Sequence, residues 1–88
     1  MTRYRLEIRV TPRPGILDPQ GKAIEHALQV LGWPTIEGAR VGKLIELEVD
    51  AAGPDEARAE ADAMCRKLLA NPVVEDYAIE VRDAAEAS

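Results

Sequence analysis

At 88 residues the chain is long enough for one domain, near the size at which a single core is marginal, since such a domain buries only about 60–65% of the surface its unfolded chain exposes. Sixteen acidic against eleven basic residues give a net charge of −5, which repels phosphate backbones and anionic bilayers and argues against nucleic acid or membrane as partner. No apolar run nears the ~20 residues that span a bilayer, no signal-peptide apolar stretch opens the chain, and one cysteine with one histidine makes neither an internal disulfide nor a metal cluster; a soluble, cytoplasmic, metal-free chain is expected.

Residues 3–11 alternate, with Tyr4, Leu6, Ile8 and Val10 on one face and Arg3, Arg5, Glu7 and Arg9 on the other, the pattern of a strand with one wet face. A Pro/Gly turn follows. Asp18 is placed to cap a helix and Pro19 suits its first position, where a missing N–H costs nothing. Gly21 fits that helix start poorly, so close approach by another backbone or a ligand, and specifically room for a neighbouring chain, is the expected reason for it. Residues 19–31 carry Ile24, Ala27, Leu28 and Leu31 as one apolar stripe, Gly32 stops the helix, and Trp33-Pro34 imposes an extended exit.

Two strands are expected at 35–41 and 43–50, joined near Gly42-Lys43; the second alternates Ile45, Leu47 and Val49 against Glu46, Glu48 and Asp50, while Gly38 weakens the first. Gly53-Pro54-Asp55 opens a second helix whose stripe is Ala57, Ala61, Met64 and Leu68, flanked by Cys65 and Leu69; Asn71-Pro72 ends it. Tyr77, Ile79 and Val81 then alternate as a last strand, and the 83–88 tail is expected to fray beyond a single domain formed by about residues 3–82.

The order βαββαβ is an α+β, ferredoxin-like pattern: an antiparallel sheet with two helices on one face. The open face then carries Arg3, Arg5, Arg9, Glu46, Glu48, Glu80 and Arg82. With no Phe and only Trp33, Tyr4 and Tyr77 as aromatics, the core is modest, which favours self-association through the open face or by exchange of a segment. In this topology residues 11–19, 42–43 and 70–75 converge on one end, bringing together Arg13, Lys43, Asn71 and Glu75 beside the positive end of the first helix; Gly32-Trp33-Pro34 belongs at the opposite end.

Plain readings exist for most of these. Gly42-Lys43 reads as a hairpin turn, Asn71-Pro72 as a helix stop through left-handed Asn, His26 as solvated and Cys65 as a packed thiol. Arg13, stiffened between Pro12 and Pro14, reads equally as solvated or as a contact residue. No nucleophile–base pair, phosphate-cradling loop or paired carboxylates appear, so no catalytic residue is assigned. An acylphosphatase-like enzyme would need an asparagine on the middle strands, and an RNA-binding domain would need aromatics there; the sequence has neither.

Three runs, Leu17-Asp18-Pro19-Gln20-Gly21-Lys22-Ala23-Ile24, Val41-Gly42-Lys43, and Leu68 to Tyr77 with Asn71-Pro72 and Glu75, resemble the PurS family, the small subunit of phosphoribosylformylglycinamidine synthase, over about residues 3–82. The resemblance implies an accessory subunit that dimerises, or forms a dimer of dimers, and bridges a glutaminase to a large synthetase subunit. That synthetase uses ATP and Mg²⁺ to make an amidine from formylglycinamide ribonucleotide with ammonia passed from glutamine. It also implies that this chain binds no cofactor itself. The family pattern falls on Asp18, Pro19, Gly21, Gly32, Gly42, Lys43, Asn71, Pro72 and Glu75. Of these, Asp18, Pro19, Gly21 and Gly42 are expected to act through backbone shape, and Lys43 and Glu75, with Arg13, at a partner surface. The alternative is an ACT-like regulatory dimer that binds a small ligand.

Overall fold

The computed structural model describes residues 1–15 and 18–84. Leu17, which heads the first family-like run, and the tail from 85 to 88 lie outside the described residues. Strand β1 (Thr2–Pro12), helix α1 (Pro19–Leu31), strand β2 (Lys43–Ala51), helix α2 (Pro54–Met64) with a π-helical turn (Cys65–Leu69), and strand β3 (Glu75–Asp83) follow in chain order. The three strands form one antiparallel sheet in the order β2-β1-β3. This is the ferredoxin-like arrangement with one edge strand absent.

The register fixes both faces. Leu6 lies between Leu47 and Val81, and Ile8 between Ile45 and Ile79. These residues meet Ala57, Ala61 and Cys65 of α2 in the core, which Tyr4 and Val10 extend. The small residues of α2 let its backbone approach the sheet closely. Tyr77 Oη donates to Asp62 Oδ1 at 2.5 Å and Arg58 Nη1 donates to the Ile79 carbonyl at 2.9 Å, fastening α2 to β3. On the other face, Arg3 pairs with Asp50, Arg5 with Glu48, and Arg82 with Glu80 and Glu7. The wet face is therefore the one the alternation predicts.

The strand expected at 35–41 does not form. Gly38 takes a φ of 72°, outside the extended region, and both ends of the segment are bonded to α1 or its cap. Gln29 Nε2 donates to the Ile36 carbonyl at 2.9 Å, and the Val41 N–H donates to Asp18 Oδ2 at 2.9 Å. Those two bonds tie the segment to α1 and its cap instead of to β2. Gly42-Lys43 is accordingly no hairpin; it is the point where an irregular segment enters β2.

Helix α1 does not lie on the sheet. Helix α2 packs across all three strands, whereas α1 has no comparable contact with any of them. Leu31 is 71% and Trp33 55% exposed, and the stripe expected to join the core faces solvent. The dimensions agree: the chain measures 52 × 30 × 14 Å, with a radius of gyration of 16.5 Å against about 12 Å for a compact chain of this length. An 11-residue strand spans ~36 Å and a 13-residue helix ~20 Å, so the long axis requires α1 to run on beyond the sheet. Residues 18–42 thus form an arm of helix plus returning segment. Gly32-Trp33-Pro34 sits at its tip, not at the opposite end of the sheet as the compact topology implied.

Candidate functional site

The arm leaves the sheet through a junction built from the sequence-predicted residues. Asp18 Oδ1 accepts from the Gly21 N–H at 3.0 Å, the expected cap, while Oδ2 takes the Val41 N–H. One carboxylate therefore ties the start of α1 to the segment that returns beside it. Those two backbone bonds, Val41 first and Gly21 second, hold the Asp18 carboxyl below its usual range. The close approach predicted for Gly21 is real, and the neighbour is this chain: a Cβ there would collide with the Ala39 carbonyl. At Gly42 a Cβ would strike the Val10 carbonyl and the Thr11 side chain at the end of β1. Pro19 occupies the first helical turn.

A second cluster braces the loop between α2 and β3. The Arg13 N–H donates to the Val74 carbonyl at 2.9 Å, and its guanidinium donates to the Pro72 carbonyl and pairs with Asp76. Glu75 Oε1 accepts from the Asn71 N–H at 2.8 Å, and Asn71 Oδ1 accepts from the Val73 N–H at 3.1 Å. Asn71 does not take the left-handed geometry expected of a helix stop; no described residue other than glycine has positive φ. It works as a side-chain turn instead, and Ala70, already extended, ends the helix. Arg13 and Glu75 thus hold this chain's own loop together.

The predicted residues do converge. Val10 pairs with Lys43 on one side and Tyr77 on the other, and Pro12 pairs with Glu75, so the junction, Lys43 and the braced loop share one end of the sheet. A shallow cleft of ≈ 220 Å³ lies among Val10, Gln20, Val41, Gly42, Lys43 and Glu75.

The site carries no reactive pair. Cys65 is buried, and burial pushes its thiol up, away from the thiolate that reacts. His26 is exposed on α1. Among the described residues no group of three possible metal ligands occurs, no buried side-chain polar atom lacks a partner, and no helix is long and apolar enough to cross a membrane.

Two residues escaped the sequence reading: Leu68 is 83% and Val73 75% exposed, flanking the braced loop. Leu68 was expected in the α2 stripe, and no sequence signal reports the π turn that moves it.

Residues 5–83 match the family described as PurS, phosphoribosylformylglycinamidine (FGAM) synthase. The chain belongs to the PurS family. A relative in Synechocystis, named phosphoribosylformylglycinamidine synthase subunit PurS, is 48% identical over 80 residues, covering 89% of this chain and 78% of the relative. The PurS structure from Thermus thermophilus superposes with a TM-score of 0.78 at 45% identity, covering 92% of this chain and 96% of that one. A PurLQS structure from Thermotoga maritima gives a TM-score of 0.83 at 34% identity, covering 92% and 99%. PurS-type chains therefore share this fold over about nine-tenths of the chain.

Proposed function

We propose that this chain is the non-catalytic small subunit of phosphoribosylformylglycinamidine synthase, acting in the cytoplasm in purine biosynthesis. In this reading it bridges the glutaminase and synthetase subunits and assists ammonia transfer, while ATP and Mg²⁺ serve the synthetase subunit. One observation carries the proposal. The fold is incomplete by itself: an apolar stripe on α1 stands open while Ile45, Leu47 and Val49 of β2 are only partly covered. A domain built this way needs other chains to finish its core. A second copy is the first of these, its arm covering the β2 side of the sheet, and the other subunits are the next. The PurLQS relative supports assembly of this kind. The residues Asp18, Pro19, Gly21, Gly42, Asn71, Pro72 and Glu75 serve geometry in this reading, fixing the arm and the loop that partners meet.

The test is reconstitution. Synthetase and glutaminase subunits mixed without this chain are expected to lose glutamine-driven amidine formation while the ammonia-driven reaction survives. Equal glutamine-driven rates with and without the chain would refute the bridging role.

A further inference from the structure

The charged residues divide by type. All eight arginines are engaged: Arg3, Arg5, Arg9, Arg66 and Arg82 in ion pairs, Arg40 and Arg58 on backbone carbonyls, and Arg13 on both. The three lysines, Lys22, Lys43 and Lys67, have no side-chain partner among the described residues. Lys22 lies in the first turn of α1, Lys43 begins β2 and Lys67 lies in the π turn, so all three sit at the end of the sheet where the arm departs. Of the carboxylates there, Asp76 pairs with Arg13, Asp18 and Glu75 keep their charge while accepting backbone N–H groups, and Glu25, beside Lys22, has no partner among the described residues. A chain of net charge −5 thus holds all three of its lysine ammonium groups, none with a side-chain partner among the described residues, at one end.

The same end holds out Leu68 and Val73. They do not hang on a loose loop: Asn71, Glu75 and Arg13 fix the backbone that carries them, so docking them forfeits little conformational freedom. Exposed apolar anchors on a rigid base, at an end of the sheet that also carries three lysines without partners, have the form of a protein-binding hot spot with polar surroundings. A second copy is a poor occupant, because the arm stripe and the β2 side of the sheet already suit one another.

We infer that this end of the sheet docks on another subunit of the synthase, Leu68 and Val73 entering an apolar socket whose acidic rim meets Lys22, Lys43 and Lys67. The inference rests on the subunit reading above and names the chemistry of the surface the partner presents. Titration of the full-length chain against the purified synthetase and glutaminase subunits, each alone and then together, tests it. The Leu68→Ser/Val73→Ser variant is expected to bind about 30-fold more weakly or worse. The Lys22→Gln/Lys43→Gln/Lys67→Gln variant is expected to associate about tenfold more slowly at low salt, the deficit shrinking as ionic strength rises. Both are expected to keep wild-type circular dichroism and mass. If wild type binds and both variants bind equally well, the inference falls and the subunit reading stands. If wild type binds neither subunit nor the pair, the subunit reading itself falls. Variants that bind normally but lose self-association would assign this surface to a second copy and overturn the inference.

Discussion

Asp18 does with one carboxylate what two residues would otherwise do: it caps α1 and captures the returning segment at Val41. Its carboxyl is depressed by those backbone bonds, so its stabilisation is fully present above the unfolded value near pH 4 and disappears as pH falls through the lower folded value. Asp18→Ala removes both bonds and is expected to lower Tm at pH 7 by roughly 5 °C. Asn is an equally good cap, but its amide group presents a donor to one of two N–H groups, so Asp18→Asn is expected to fall between. Scanning Tm from pH 7 to pH 3 isolates the carboxylate: the gap between wild type and Asp18→Ala should narrow on acidification. A gap independent of pH would show that the ionised group is not what matters. Asp50 and Glu80 are also depressed, by Arg3 and Arg82 respectively, yet they sit on the exposed face where salt screens them and appear equally in both proteins. The cap and the misfit of Gly21 were legible in the sequence because both are local. The identity of the neighbour, Ala39, was not, since eighteen residues of arm had to return before it arrived there.

At the scale of elements, the strands were legible and the helix faces were not. Alternation gave the register faces of β1, β2 and β3 because a strand's period of two admits no partial slip. In α2 the stripe Ala57, Ala61, Cys65 holds until the π turn, where the Ala70 N–H donates to the Cys65 carbonyl at 3.0 Å, five residues back. The extra residue in that turn brings Leu69 and Ala70 toward the core and turns Leu68 outward. Leu68→Ala is therefore expected to change unfolding free energy by no more than about 0.5 kcal/mol, while Leu6→Ala at the fully buried centre costs ~2–5 kcal/mol in the same urea titration. A Leu68→Ala cost near that of Leu6→Ala would restore the straight-helix reading. The absent strand at 35–41 has a comparable cause. Gln29 and Asp18 meet its backbone before β2 can, a competition that strand propensity does not register.

For the whole molecule, periodicity says that α1 is amphipathic without saying which chain covers it. Val30, Leu31 and Trp33 lie open, and the sheet lacks α1 as a cover on its β2 side, so each copy offers what the other needs. In the proposed dimer an exchange of arms would satisfy both surfaces at once; the arm itself accounts for a radius of gyration well above that of a compact domain. In that dimer, burial between copies adds to the stability of a sheet that folds by itself, so Tm should rise with protein concentration. Replacing Leu28 and Leu31 together by Asp puts two charges into the proposed contact, where desolvation opposes them. Because α1 adds nothing to the core of its own sheet, the variant should still fold. Light scattering is expected to give wild type a mass of at least twice the 9.6 kDa chain and the variant the mass of one chain, with Tm no longer dependent on concentration. A wild-type chain that is monomeric at micromolar concentration, or a double variant that associates as before, would remove the arm from the interface. The open stripe would then have to be covered by the synthetase or glutaminase subunit directly.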